Sequence, residues 1–413
     1  MNRRNFLVSG VASAAALRAL PGSPVRITRI TLAPIDGRFH KFVAMNAYDK
    51  FPKGHTYSNT LVRVATDQGI EGVGVMAYAV PDDAFLRAVR ALLRANPLEV
   101  YLKKSDRIVG RSAAFNALLT QYQHLDGPLF DLIGKLEGKP CWQLLGDAVR
   151  ERVEVYDGTL YFSDVWFRGR GLLAVVEEAE EAVKSGYKGL KLKLGRGSQW
   201  MEKTAGLHRD IEVVKTVRNA LGANVKVLVD ANNGYADNFE GAWKLLSETQ
   251  PDNLYWAEEL FPENVAHYQD LKARMQKAGM KTLIADGENI EYASEFRPYL
   301  APQRLMDVLQ MDIRRGGFLG NLEMARLGEA AGAVSVPHNW ASQVGLFMGL
   351  HLAKSVRSVN AAEDDRSTCD VLIAEGYEFR QGSYTVSNAP GLGIRVDEKA
   401  YNQKYRTKEI VVS

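Results

Sequence analysis

Three short apolar runs, each ending in a carboxylate, constrain this chain more than any other feature. Val227, Leu228 and Val229 lead into Asp230 and, two residues on, Asn232. Residues 254–259 read LYWAEE and residues 282–288 read TLIADGE, closing on Glu258 and Glu288. A run this short, apolar throughout and bounded by polar residues, is the pattern of a strand buried on both faces. Three such strands, each delivering a carboxylate at its C-terminal end, outline a site for a hard cation. Mg²⁺ takes oxygen ligands in octahedral geometry and keeps positions open for water or substrate.

The same texture extends along most of the chain. Strand patterns fall at 153–156, 189–194, 225–230, 254–259, 282–286, 305–312, 333–338 and 356–363. Helical periodicity lies between them, for example at 174–184, 210–221, 241–248, 321–331 and 343–355. Eight strand–helix steps are what a TIM-like (β/α)7–8 barrel requires. A doubly wound open sheet fits less well, because polar residues cap nearly every strand instead of gathering at one switch point.

Ahead of this region the pattern differs. Residues from 25 to about 80 alternate as half-buried strands with a turn at Asp67-Gln68-Gly69, and 82–146 turns helical. The expected organisation is an α+β capping domain over 23–148, a barrel over 149–370, and a segment over 371–413 that returns to the capping domain. Residues 37–57 are polar, basic and aromatic, and read as a long loop carrying Lys53 and His55, a substrate lid or a solvated loop.

The first residues are read as address and not as fold. Arg3-Arg4 followed by Asn5, Phe6 and Leu7, a short apolar stretch and small residues before Pro21 have the form of a twin-arginine export signal over 1–22. The expectation is cleavage near Ala19 and a periplasmic mature chain with no remaining membrane segment. A net charge of +3 without a basic run offers nothing to nucleic acid. Cys141 and Cys369 are the only cysteines, so no disulfide framework or cysteine metal cluster is encoded.

In a barrel, the strand C-termini share one mouth. That brings together Lys191, Lys193, Asp230, Asn232, Glu258, Glu288, Asp312, His338 and Glu363. Lys191 and Lys193 are two apart on KLKLG, so both point inward while Leu190, Leu192 and Leu194 point out. Mutual repulsion and burial both lower a lysine pKa, which makes one of them a usable base. Glu259 stands beside Glu258 and Asp286 near Glu288, so either member of each pair can be the ligand. Asp312, one strand away from His338, can hold the imidazole tautomer and raise its basicity. Glu363 closes the eighth strand, as a hydrogen-bond donor or a salt bridge with Arg366.

Taken in order, LVRVATDQGIEGVG, PLFDLIGKLEGKPCWQLLG, KLKLG, VDANNGY, WAEEL, ADGEN, LQMDIRRGGFLGN, VPHNW and PGLGIRVDE resemble the enolase superfamily, in particular its mandelate racemase-like subgroup. The resemblance implies that Asp230, Glu258 and Glu288 hold one Mg²⁺, with Mn²⁺ as a substitute. It implies that Lys193 is the base on one face, with Lys191 beside it lowering its pKa, and the Asp312–His338 dyad on the other. Asn232 then contacts substrate and Glu363 hydrogen-bonds the developing enolate. Leu260 departs from the family, which usually has proline there. Asp312 argues against the muconate-cycloisomerase branch, which has lysine.

Chemistry of this kind removes the proton next to a carboxylate, aided by an electrophile on that carboxylate. Loss of a β-hydroxyl then gives dehydration of a sugar acid to a 2-keto-3-deoxy acid, whereas reprotonation of the same carbon gives a racemase or epimerase. Dehydration is the expected outcome, with a small-molecule carboxylate as substrate and a homo-oligomer as the assembly. A carboxylate-binding protein without turnover would need the metal and polar contacts but not the bases.

Overall fold

The computed structural model describes residues 24–76 and 81–413, so the twin-arginine segment lies outside the described residues. Eight parallel strands make the barrel: Arg152–Leu160, Gly189–Lys193, Lys226–Asp230, Trp256–Glu258, Leu283–Asp286, Val308–Leu309, Val334–Ser335 and Ala361–Asp364. Each pairs with the next in parallel, a Ser335–Val359 bridge links the seventh to the eighth, and the eighth pairs with the first through Glu363 and Tyr156. The ring is therefore closed, as the regular strand–helix alternation predicts.

Side-chain parity explains the two-layer core. Tyr156, Leu228, Trp256, Ala285, Val308 and Val336 point inward and pack on one another as the barrel lumen. Leu190, Leu192, Val227, Val229 and Ala257 point outward into the main core beneath the helices. Burying each such aliphatic side chain is worth about 1.5–3 kcal/mol, which is why the outward positions of these strands are apolar. In-register pairing of Lys193 with Asp230, and of Asp230 with Glu258, sets the functional residues at one height.

The N-terminal strands Ile27–Val43, Gly54–Thr66 and Glu71–Met76 form an antiparallel sheet against helix Asp126–Glu137. The glycines of GVG are needed there: a Cβ on Gly72 would fall 2.0 Å from the Pro128 carbonyl oxygen, and one on Gly74 2.4 Å from Pro128 Cδ. Ser367–Cys369 and the terminal strand Ile410–Val412 both pair with Ile27–Val43, bringing the chain end back to this sheet. Cys141 and Cys369 are buried free thiols. Among the described residues no helix is long and apolar enough to cross a membrane.

The expected loop over 37–57 is corrected. Strand continues to Val43 and resumes at Gly54, leaving only 44–53 as a tip. Phe39 and Val43 are buried while Arg38 and His40 alternate outward, a period-two pattern that the charged residues obscured in the sequence.

Candidate active site

The mouth of the barrel is built by strand ends whose last inward residue is polar. Lys191 Nζ lies 2.7 Å from Glu258 Oε1, 2.7 Å from Glu363 Oε1 and 3.3 Å from Asp230 Oδ2. Lys193 donates to Asp230, and its ammonium stands 5.3 Å from the centre of the Tyr161 ring. All four of Lys191, Lys193, Asp230 and Glu258 are buried.

The carboxylates of the mouth work against the expected lowering of the lysine pKa. Burial pulls Lys193 down and Lys191 pushes in the same direction, but Asp230, Glu288 and Glu258 outweigh them and the net shift is upward. Lys191 moves well above its ordinary value, burial being outweighed by Glu258 and Glu363. The carboxylates that reverse the sign come from other strands.

On the facing side, Asp312 lies three residues beyond strand Val308–Leu309 and caps helix Ile313–Ala330, accepting from the N–H of Arg314 at 2.7 Å and of Arg315 at 3.1 Å. Its other oxygen lies 2.9 Å from His338 Nδ1, and the Arg314 guanidinium donates to that same oxygen at 2.7 Å. His338 Nε2 stands 3.1 Å from Glu288 Oε2. Burial opposes the imidazolium, yet Glu288, the Asp312 hydrogen bond and Glu363 together raise it to about 9. Each base thus leans on a carboxylate: Lys193 on Asp230, His338 on Glu288.

The carboxylates themselves need restating. Asp230, Glu259 and Glu288 offer oxygens all within 4.8 Å of one another. Glu258, the expected middle ligand, is not among them. Its oxygens are taken by Lys191, by Trp256 Nε1 at 3.1 Å and by Gln310 Nε2 at 3.0 Å. The reason is local. Glu258 is the last residue of a strand and keeps inward parity, whereas Glu259 has a left-handed backbone, φ 44°, that ends the strand. Burial raises Glu259 well above the carboxylate range, and the charges of Glu288 and Asp230 add to this. An all-oxygen set so crowded with like charge fits a divalent cation.

Glu363 is also corrected. Lys191 and His338 outweigh burial and hold it below its ordinary value, and its Oε2 accepts from the Asn339 N–H at 3.1 Å. It is an acceptor here, not the donor expected. Arg366 pairs instead with Asp157 and Glu181. Asn232, with φ 42°, donates to Glu259 at 2.9 Å and accepts from Asn46 at 2.7 Å. Lys53 reaches the rim, 2.6 Å from Asp49 and 5.7 Å from the Trp340 ring centre, while His55 packs edge-on to Phe42 on the outer hairpin. Leu260 keeps its loop in place, its carbonyl accepting from the Tyr235 N–H at 3.0 Å.

Four contributors escaped the sequence reading: Asn46, Tyr48, Tyr161 and Gln310. Gln310 had a signal, since it shares the inward parity of Val308 and Asp312 in VLQMD. Asn46 and Tyr48 had none, their partners Asn232 and Glu259 lying 186 and 211 residues away.

The sequence profile of the enolase C-terminal domain-like family matches residues 174–400, more than half of the chain. The chain belongs to this family. Within it, arabinonate dehydratase of Saccharolobus solfataricus is 28% identical over 289 residues, 69% of this chain and 71% of that protein. Galacturonate dehydratase from Geobacillus sp., solved with D-galacturonate and 5-keto-4-deoxy-D-galacturonate, superimposes with a TM-score of 0.81 at 26% identity, over 95% of this chain and 100% of that one. A mandelate racemase/muconate lactonizing protein from Geobacillus sp. Y412MC10, complexed with magnesium/tartrate, gives 0.79 at 28% identity, over 92% and 95%.

Proposed function

We propose that this enzyme is a hydro-lyase that dehydrates a sugar acid to a 2-keto-3-deoxy acid. The observation that carries the reading is the pair of opposed bases, Lys193 and His338, over one carboxylate cluster. Dehydratases among the similar proteins favour elimination over racemisation.

Asp230, Glu288 and one carboxylate of the Glu258–Glu259 pair are the side chains that would hold Mg²⁺, with Mn²⁺ as a substitute. When bound, the ion supplies positive charge against the dianionic enolate that forms on the substrate carboxylate. Asp230 and Glu288 are also the partners of Lys193 and His338. Engaging these two carboxylates elsewhere would weaken the charge that raises the pKa of both bases. One base then takes the α-proton, and the C–H electron pair moves into the enolate. The acid on the other face protonates the departing β-hydroxyl, so the C–O bond breaks with release of water. The enol that remains takes a proton at the β-carbon, gives up its hydroxyl proton and becomes the 2-keto acid. Asp312 holds the His338 ring throughout, its Arg314 contacts keeping the carboxylate ionised.

Racemisation or epimerisation is the second reading, favoured by the presence of a base on both faces. Purified protein with Mg²⁺ screened against acid sugars, with 2-keto-3-deoxy acid as the readout, tests the choice. Configurational inversion without keto acid would select the second reading.

We extend the proposal to location: the Arg3-Arg4 signal supports twin-arginine export to the periplasm. Arg3→Lys with Arg4→Lys should retain the chain in the cytoplasmic fraction, and unchanged fractionation would contradict it. Assembly as a homo-oligomer is a further part of the proposal, checked by light scattering of the purified chain.

A further inference from the structure

Lys193 is fixed at its main chain as well as faced at its ammonium. The ammonium stands over the ring of Tyr161, the residue after the first barrel strand. Arg196 follows Lys193 by three residues, and Asp164 follows Tyr161 by three. These two side chains pair with each other. Arg196 Nη2 donates to Asp164 Oδ1 at 2.7 Å, and Nε lies 3.1 Å from both carboxylate oxygens. The other arm of the guanidinium turns back: Nη1 donates to the Lys193 carbonyl at 3.0 Å and to Asp210 Oδ1 at 2.7 Å. Asp210 Oδ2 then accepts from the Gly195 N–H at 2.8 Å and the Tyr235 hydroxyl at 2.7 Å. The Phe162 ring covers the guanidinium, its centre 4.4 Å from Cζ. Arg196, Asp164 and Asp210 are all buried.

One guanidinium thus serves acceptors on the loop after the first strand, on the Lys193 strand itself and on helix Lys203–Leu221. The planar fork of arginine suits that demand; the ammonium of a lysine, a point charge on a flexible stem, does not. Stability alone is a poor account of such an array. Taking charges out of water costs much of what their pairing returns, and apolar side chains of similar volume often hold a core as well. What the array adds is direction. It fixes the main chain from which Lys193 extends and the loop that sets a ring against its ammonium. His338 has a separate hold in Asp312 and Arg314.

We propose that Arg196 is the positioning residue of the Lys193 face, setting through Asp164 and the Lys193 carbonyl where that base stands relative to the α-proton. It touches no reacting atom. A displacement of about 1 Å at a reacting group can cost about 10²-fold in rate, so a tether of this kind bears on turnover from outside the site. The inference rests on the reading of Lys193 as an acid–base residue, and not on which reaction follows.

The test follows exchange of the α-proton with solvent deuterium in D-tartrate and L-tartrate, with the Mg²⁺-loaded enzyme. The two enantiomers offer opposite configurations, and Lys193→Ala identifies the one that this base serves. Arg196→Lys should slow that enantiomer about 10²-fold and leave the other at the parent rate. Arg196→Met leaves Asp164 buried without its partner and should melt lower. Adding Asp164→Leu removes both charges and should raise the melting temperature again, while exchange on the Lys193 face stays slow. Exchange that recovers along with stability would overturn the proposal, and so would equal slowing of both enantiomers. Hydrogen exchange by mass spectrometry reads the tether without substrate. In Arg196→Lys, peptides 161–171 and 193–202 should lose protection together while peptide 333–342, around His338, keeps it. Protection retained in the first two overturns the tether. A parent enzyme that exchanges neither tartrate speaks against the acid–base reading, and the tether is then decided by hydrogen exchange alone.

Discussion

His338 Nδ1 lies 2.9 Å from Asp312 Oδ2, and that aspartate is also the N-cap of helix Ile313–Ala330. One carboxylate thus starts a helix and aims a catalytic ring. The two duties can be separated. Asp312→Asn keeps an oxygen for the helix N–H groups, and asparagine caps as well as aspartate. It removes the charge that steadies the imidazolium. We expect turnover to fall about 10²- to 10⁴-fold with a melting temperature close to the parent value. A large loss of stability with turnover intact would show that the aspartate is only a cap.

Removal of the metal should abolish activity. Exhaustive chelation is expected to leave no turnover, with recovery on adding Mg²⁺ and, less fully, Mn²⁺. Glu288→Gln should remain folded by circular dichroism yet bind Mg²⁺ more weakly, since it loses both a charge and its place in the carboxylate cluster. Full activity after chelation would refute metal dependence outright.

Gly195 follows the Lys193 strand with φ +91°, and a Cβ there would fall 2.7 Å from the Ala231 carbonyl and 2.9 Å from Gly234 Cα. Gly195→Ala should therefore cost about 1–3 kcal/mol or more and displace Lys193. Gly222→Ala, also at positive φ but in open space, is the control and should cost less. The comparison is read by thermal melting; equal losses would contradict the crowding.

His351 offers a pH test away from the site. The Trp142 N–H donates to its Nδ1 at 3.1 Å, so Nε2 carries the proton toward the Tyr377 hydroxyl at 2.8 Å, which donates to the Leu392 carbonyl at 2.6 Å. Burial, with a smaller push from Lys354, lowers its pKa from 6.5 to about 3. Between those values the unfolded chain binds a proton that the folded chain refuses. The stability contributed is full above pH 6.5 and drains as pH falls toward 3, by on the order of a few kcal/mol in all. His351→Gln should lower the melting point at pH 7.5 and narrow the gap to the parent by pH 5. A constant gap across that range would contradict a buried neutral imidazole.

The barrel was legible because strands buried on both faces must be apolar end to end, which shows in one sequence. Six of the eight fall within the expected windows; the first runs longer, Arg152–Leu160, the eighth ends one residue later at Asp364, and the sixth shrinks to Val308–Leu309 as Gln310 and Asp312 leave the sheet while keeping their parity. What was not legible depends on distant partners. The sign of the Lys193 shift depends on Asp230 and Glu288, and the different directions taken by Glu258 and Glu259 on one left-handed residue. The hairpin strands near Phe39 and His55 were hidden because a strand lying across a polar mouth need not look apolar. Tyr48 lies 211 residues from the carboxylate it holds.

The most direct test of the account is exchange of the substrate α-proton with solvent deuterium. The parent enzyme should exchange or eliminate a responsive acid sugar in the presence of Mg²⁺. Lys193→Ala should abolish exchange for substrates of one configuration and His338→Asn for the other, with Mg²⁺ affinity retained in both. For the dehydrated substrate, loss of the base ends exchange and turnover together, whereas loss of the facing acid leaves exchange and stops elimination. Wild-type exchange and turnover in both variants would contradict the assignment of these two residues as the acid–base pair.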